Sequence, residues 1–291
     1  MDEIKLIELD YLGMLEVSGE GSFDLLQGQI TCDLNKINSS SSSLGALCNS
    51  KGRVISSFVV SSNDVTRFIL IGPSKMLKKT EEELNKYSPF YKVEIRSNDS
   101  ALFYGIKKEL YKKLYGKAFL VEGNTHKIND ISFISYLNKD YLLAICKSSS
   151  KVPDLLSKLK FEENPNKWFV DELQNLNVEI TEESSGRYTP HDLNYDLTKR
   201  VDFDKGCYTG QEVVARMQYR AKNLPSLKLA ESSDTQLKTN MTVCNEKDIK
   251  IGSLVKTLNL STKSICLIST KDKTDNSILK VRETDSKLVL I

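Results

Sequence analysis

The chain reads as an α+β fold closed by a small all-β tail, and three observations point that way. Short apolar strands alternate with amphipathic helices through the first two thirds, with few clean strand–helix–strand units. After Asn223-Leu224-Pro225 the helical periodicity stops, and six short strand candidates follow between polar turns. The 291 residues suit roughly two domains, and 40% hydrophobic with 27% charged residues is the composition of an ordinary folded protein. The boundary is placed near residue 222, giving a 1–222 α+β region and a 223–291 β-barrel or sandwich.

The elements follow in order. Leu6–Leu9 and Gly13–Val17 are strand-sized apolar runs, and Gly19-Glu20-Gly21 turns the chain into a helix. Ser22 is the expected cap of that helix, with Phe23, Leu26 and Ile30 on one face. Ser39–Ser43 reads as a flexible surface loop. Leu44–Cys48 and Val54–Val60 pair about the turn Asn49-Ser50-Lys51-Gly52, and Phe68–Ile71 is stopped by Gly72-Pro73. Ser74 caps a helix through Tyr87, striped by Met76, Leu77, Thr80, Leu84 and Tyr87, and Ser88-Pro89 ends it. Tyr91–Ile95 and Ala101–Ile106 are strands, followed by a helix over Lys108–Tyr115 that stops at Gly116. Further strands are expected at Ala118–Glu122, Ile131–Tyr136 and Tyr141–Cys146, with a short helix at Pro153–Leu159. A longer helix starts at Asn164 with Pro165 in its first turn and carries Trp168, Phe169, Leu173 and Leu176. The tail strands are Leu227–Ala230, Met241–Cys244, Gly252–Leu258, Ser264–Ile268, Ile278–Arg282 and Lys287–Ile291.

Composition excludes several classes. No window approaches the ~20 apolar residues of a membrane-spanning helix. Asp2 and Glu3 replace the basic start of a targeting peptide, so a cytoplasmic protein is expected. Lys plus Arg number 41 against 39 Asp plus Glu, a net charge of +2, which argues against a nucleic-acid coat, a DNA-binding role or a polybasic membrane binder. The six cysteines (Cys32, Cys48, Cys146, Cys207, Cys244 and Cys266) are irregularly spaced, none in a C-x-x-C pair. His126 and His191 are the only histidines, so no intrinsic metal site is expected. In a reducing compartment the thiols stay free, and most pack as small hydrophobes.

The sharpest local signal is Lys205-Gly206-Cys207-Tyr208-Thr209-Gly210-Gln211-Glu212, running into Val213-Val214-Ala215-Arg216-Met217. Thr209 and Glu212 stand at capping-box spacing, with Val213, Val214 and Met217 as the buried side of the helix. Cys207 then lies just ahead of a helix N-terminus, where partial positive charge favours a thiolate, and Lys205 is close by. Gly206 and Gly210 allow another backbone or a ligand to approach. Two readings stay open: a buried cysteine in a tight turn, or a reactive, ligand-facing thiol.

This segment resembles the signature of the YgfZ-type folate-binding proteins, relatives of the glycine-cleavage T-protein (aminomethyltransferase). Leu26-Gln27-Gly28-Gln29-Ile30-Thr31-Cys32-Asp33, after the turn Val17-Ser18-Gly19, resembles the family's L-Q-G-Q-x-T-x-D stretch. Leu44-Gly45-Ala46-Leu47-Cys48, with Lys51-Gly52-Arg53, resembles its second segment. The resemblance spans the whole chain. It implies a T-protein-like ring of two α+β subdomains around a central folate cavity, plus a C-terminal β-barrel. It also implies a folate-binding accessory protein that supports iron–sulfur enzymes, iron–sulfur cluster assembly and tRNA modification. Its partners would be folate (tetrahydrofolate) and client or tRNA-modifying enzymes, with direct tRNA contact open. Cys207 matches the motif cysteine and Trp168 an aromatic associated with folate contact. Read from the residues alone, one tryptophan on a helix is as well explained by core packing, although its flat face suits stacking on a pterin.

Departures from the family pattern matter too. A second tryptophan expected before the V-x-G turn is replaced by Leu12, with Tyr11 beside it. Where the T-protein carries a catalytic aspartate this chain has Ser56-Ser57, and its glycine-rich pterin segment reads Ser135-Tyr136-Leu137-Asn138-Lys139-Asp140. Aminomethyltransferase activity is therefore disfavoured. The expected folate surroundings are Trp168, Gln27, Arg187, Tyr188 and Leu12, with Cys207 as a cavity-facing reactive thiol. The alternative is a tetrahydrofolate-dependent one-carbon transferase, for which Asp33 or Asp192 would have to supply a carboxylate.

Charge is concentrated at the motif. From Lys199 to Lys222 six basic residues face three acids, a local net of +3. A solvated face explains this; so does a patch for folate's glutamate tail, RNA phosphate or an acidic partner. Arg216 and Arg220 share one helix face and can present paired guanidinium groups. No aromatic-interleaved basic stripe is visible at this level, which weakens direct RNA binding.

Overall fold

A computed structural model of the chain describes residues 5–116, 123–128, 130–135, 140–146, 160–162, 164–272 and 278–291. Strands β1 (Lys5–Glu8) and β2 (Leu12–Ser18) lead to helix α1 (Ser22–Gln27) and a 3-10 turn at Leu34–Lys36. Next come β3 (Ser43–Cys48), β4 (Val54–Asp64), β5 (Arg67–Pro73), α2 (Ser74–Asn85), α3 (Ser88–Tyr91) and β6 (Glu94–Ser97). β7 (Leu102–Lys107), α4 (Lys108–Tyr115), β8 (Thr125–Ile128), β9 (Ile131–Ile134), β10 (Tyr141–Cys146) and β11 (Lys160–Phe161) follow. Helix α5 (Asn166–Gln174), a 3-10 turn at His191–Leu193 and α6 (Gln211–Arg220) complete the first region.

Two sheets, ordered β3-β4-β5-β2-β6 and β11-β1-β7-β10-β9-β8, pack face to face. Alternation along each strand sorts the side chains. On β5, Ile69 and Ile71 enter the space between the sheets, while Phe68 and Leu70 go to the α1 and α2 side. On β10, Tyr141, Leu143 and Ile145 face the first sheet, and Leu142, Ala144 and Cys146 face the α4 side. The result is a helix–sheet–sheet–helix sandwich. β12 (Ser226–Ser232), β13 (Thr242–Cys244), β14 (Lys250–Asn259), β15 (Ser264–Thr270), β16 (Leu279–Val281) and β17 (Lys287–Leu290) close into a barrel. Leu254, Cys266 and Ile268 fill its interior, and Val255, Ile265 and Leu267 pack outward against residues of the 173–214 stretch. The α+β architecture with a terminal barrel is thus the one expected.

Several local expectations change. The α1 cap is Gly21, and Ser22 begins the helix with its hydroxyl buried and unpartnered. Pro73 occupies the cap position of α2, and Ser74 makes no capping bond. The helix begun at Ser74 ends at Asn85, just ahead of Ser88-Pro89, which itself opens the short α3 because proline suits a first helical turn. The serine run is stitched down: Ser42 N–H donates to Gly123 O at 2.6 Å, and Thr125 N–H donates to Ser40 O at 2.9 Å. Ala118–Glu122 and Pro153–Leu159 lie outside the described residues. Among the described residues no helix is long and apolar enough to cross a membrane.

Candidate functional site

The three motif segments, distant in sequence, close on one another. Lys205 reaches the end of α1 and its Nζ donates to the carbonyls of Gln27 at 2.7 Å and Ile30 at 2.6 Å, satisfying acceptors that a helix end leaves open. Burial pushes the Lys205 amine down to about 8. Thr209 N–H donates to Gly28 O at 3.3 Å, and its hydroxyl donates to Gln29 Oε1 at 2.9 Å. That hydroxyl is therefore not a helix cap: α6 starts from Gly210 in a left-handed conformation (φ 84°). A Cβ on Gly210 would stand 2.3 Å from Asn49 O in the second motif, so only glycine lets the third segment dock there. A cavity of about 250 Å³ lies at the junction, bordered by Gln29, Asn49, Glu83, Tyr87 and Thr209.

Gly210→Ala should lose about 1–3 kcal/mol to backbone strain alone, before the clash with Asn49. Gly206→Ala is the matched control, because a Cβ there meets open space; the close approach expected at Gly206 does not occur. Comparative thermal melts check this: a large fall in midpoint for the first and a near-wild-type curve for the second.

Cys207 sits exposed on this clasp, while the other five cysteines are buried, all six being free thiols. Burial pushes Cys32 and Cys48 up to about 12, and Cys146 and Cys266 up to about 11, which leaves them inert near neutral pH. The 250 Å³ cavity is not lined by Cys207.

A second polar assembly lies where β2, α5 and the barrel meet. Trp168 is 1% exposed. Its ring lies against β7 at Gly105, where a Cβ would be 2.6 Å from the indole, and edge-on to Tyr141. The indole N–H is shared between Tyr11 OH at 3.1 Å and Glu172 Oε1 at 3.0 Å. Lys256, from barrel strand β14, donates to Glu172 Oε2 at 2.9 Å. Tyr11 and Phe169 stack obliquely with centroids 5.2 Å apart, and Lys256 Nζ stands 5.6 Å from the Phe169 centroid. Tyr11, Leu12, Phe169 and Lys256 are half-buried, so they form the accessible rim over the buried Trp168 and Glu172. Burial, with the charges of Glu172 and Glu179, raises the Tyr11 phenol well above its usual range.

Behind this rim is a wholly buried ion pair between Arg200 and Glu179. Arg200 also donates to Gly45 O and Phe58 O, each at 3.3 Å, and to Asn177 Oδ1 at 3.2 Å. Burial is the largest single influence and opposes its charge, but Glu179, Tyr195 and Glu172 together outweigh burial and raise its pKa. Ser57 donates to Glu179 and accepts from Ile180 N–H at 2.9 Å. The carboxylate missing at positions 56 and 57 is thus brought to Ser57 by another segment.

The remaining expected site residues go elsewhere. Gln27 uses both ends of its amide locally, donating to Asp33 at 2.9 Å and accepting from Leu34 N–H at 3.0 Å. Tyr188 pins the barrel through bonds to Asn240 Oδ1 at 2.9 Å and Leu254 O at 3.1 Å. Arg187 is exposed, and its carbonyl accepts from Arg53 at 2.7 Å. Leu12 packs in the same cluster as Trp168. The six residues therefore occupy three environments rather than one. Asp33 and Asp192 serve turns: Asp33 accepts from Asn35 N–H at 3.1 Å, and Asp192 from Thr189 N–H at 2.8 Å and its hydroxyl at 2.6 Å. Sequence reasoning missed Glu172, Glu179, Arg200 and Lys256. One available signal was the placement of Glu172 four residues after Trp168, one helical turn on.

Comparison with solved structures finds the glycine cleavage system aminomethyltransferase T of Bartonella henselae, with a TM-score of 0.73 over 99% of this chain and 85% of that one, at 11% identity. That likeness is one of fold. No family model matches the chain. Among curated proteins, the tRNA-modifying protein YgfZ of Colwellia psychrerythraea is 31% identical over 232 residues, covering 78% of this chain and 71% of the relative. The protein of the same name from Klebsiella pneumoniae is 28% identical over 77% of this chain and 70% of its own length. That of Yersinia enterocolitica is 25% identical over 99% and 90%. The interlocking of three separate motif segments and the likeness to relatives over most of the chain have one explanation: the chain belongs to the YgfZ family of tRNA-modifying proteins.

Proposed function

We propose that this protein is a folate-binding accessory factor for iron–sulfur enzymes and tRNA modification, acting through bound tetrahydrofolate and the Cys207 thiol. The observation that carries the reading is the clasp: three motifs lock together by backbone and side-chain bonds and leave outside the one thiol of six that solvent reaches. A pterin fits the rim chemically. Its flat ring suits the half-buried Tyr11–Phe169 pair, and its amino-pyrimidinone N–H donors suit the buried Glu172 carboxylate once the half-buried Lys256 yields the oxygen it now holds. Residues 1–222 would hold the folate, and the 223–291 barrel would close the site through Lys256.

Among the described residues no three potential metal ligands gather. A cluster handled by Cys207 would therefore take its remaining ligands from a client chain or from solution. Folate carries the one-carbon chemistry in this proposal; the protein's residues bind and orient it. In cells lacking the endogenous protein, Cys207→Ser is expected to fold, bind tetrahydrofolate like wild type and fail to restore tRNA modification. Full restoration by the serine variant would sink the thiol's role.

A further inference from the structure

The helix that follows the clasp buries far less than its sequence suggests. Only Val214 of the ten residues of α6 is fully buried, and Val213, expected inside, is 37% exposed. The helix is nonetheless fixed in place. Gln218 bonds the buried His191 ring at 2.9 Å, and Phe203 backs Tyr219 edge-on at 6.2 Å. Its exposed residues are Glu212, Val213, Arg216, Tyr219 and Arg220, of which Arg216, Tyr219 and Arg220 share one face at i, i+3 and i+4, with Glu212 at the N-terminal end of that face. Tyr219 is 71% exposed. Arg216 and Arg220 make no ion pair or side-chain hydrogen bond among the described residues, and exposed Lys199 and Lys222 are equally unengaged. The single acid of the helix, Glu212, stands in the first turn, where the helix dipole favours it.

We infer that this face docks unpaired RNA, with Arg216 and Arg220 on consecutive phosphates and a base stacked on Tyr219. Two free guanidinium groups alone would suit carboxylates as well as phosphates. The exposed ring between them is what favours a nucleic acid, because every base has a face to stack and an acidic peptide does not. An unpaired strand is favoured over a duplex because its bases are already free to splay onto the ring. The aromatic-interleaved basic surface that the linear sequence hides is thus assembled on α6, immediately after the Cys207 loop. This surface lies outside the residues proposed to hold folate, so RNA binding and folate binding can be tested separately.

The test is fluorescence anisotropy of a labelled RNA stem-loop with folate-free protein across a salt series, using the same stem as a blunt duplex for comparison. Wild type should bind the stem-loop more tightly than the duplex. Arg216→Ala combined with Arg220→Ala should flatten the slope of log K against log salt by about 1.4, or about 0.7 per phosphate. Tyr219→Ala should weaken binding roughly 5- to 150-fold with the slope retained, and Tyr219→Phe should restore it. The arginine positions are exposed and Tyr219→Phe keeps the ring against Phe203, so the melting curves of the double variant and of Tyr219→Phe should match wild type, and Tyr219→Ala should lose only that edge contact. Absence of RNA binding by wild type, equal affinity for the duplex, or an unchanged slope in the double variant overturns the inference. If instead the double variant fails to capture an acidic client that wild type captures, and RNA binding is unaffected, the face belongs to protein. Tetrahydrofolate binding by the same variants should be normal whichever result is obtained.

Discussion

Replacing Arg200 with methionine is expected to remove about 3–5 kcal/mol of folding stability, the cost of leaving one member of a buried ion pair uncompensated. Domains are stable by only about 5–15 kcal/mol, so this one change consumes a large share. The magnitude follows from isolation: Arg200 is 0% exposed and Glu179 4%, so water cannot take over either charge. Most of the loss comes from the stranded Glu179 carboxylate rather than from the missing guanidinium. The double variant Arg200→Met with Glu179→Gln should therefore recover a substantial part, since the amide still accepts from Ser57 without a charge. Urea midpoints at neutral pH check this; a single variant within about 1 kcal/mol of wild type contradicts it.

The second large effect is expected at Trp168. Trp168→Ala should cost about 3–5 kcal/mol, because the indole fills the space over Gly105 between the sheets and the surrounding residues collapse only partly. Trp168→Phe separates packing from hydrogen bonding. Its ring restores much of the volume, but Glu172 Oε1 and Tyr11 OH lose their shared donor, at about 1–3 kcal/mol. A phenylalanine variant as stable as wild type would mean that the bonds to Glu172 and Tyr11 contribute nothing. Trp168 is thus a core residue with its polar edge turned to the rim, which reconciles the two readings its sequence left open.

Much of the scaffold was legible because it rests on periodicity and strong stop signals. Gly116 ends α4 in a left-handed conformation as its sequence indicates, and the continuous apolar runs of β5 and β10 became strands buried on both faces. Capping was less legible, because Ser22, Ser74 and Thr209 look like caps locally but are displaced by tertiary demands. Thr209 is the plainest instance: its hydroxyl holds Gln29, and Gly210 takes the cap because only a residue without Cβ fits beside Asn49. The polar centre was the least legible part. Glu172, Glu179 and Arg200 look in sequence like any solvated charges, and only the fold shows that each has its partner inside. Ser56 and Ser57 carried a hint, as two hydroxyls within an apolar strand that both proved buried. Arg216 and Arg220 were placed correctly on one face, but the exposed ring of Tyr219 depended on how little of α6 the fold covers.

Trp168 is the only tryptophan, so its emission reports on the rim without labelling. The decisive measurement is a tetrahydrofolate titration followed by that emission, with Glu172→Gln and Cys207→Ser run in parallel. Saturable quenching is expected in wild type and Cys207→Ser, with affinity at least about tenfold weaker in Glu172→Gln, the scale of a charge-assisted hydrogen bond. A folded wild-type protein whose emission never saturates, or a Glu172→Gln variant that binds as tightly as wild type, would contradict folate binding at this rim.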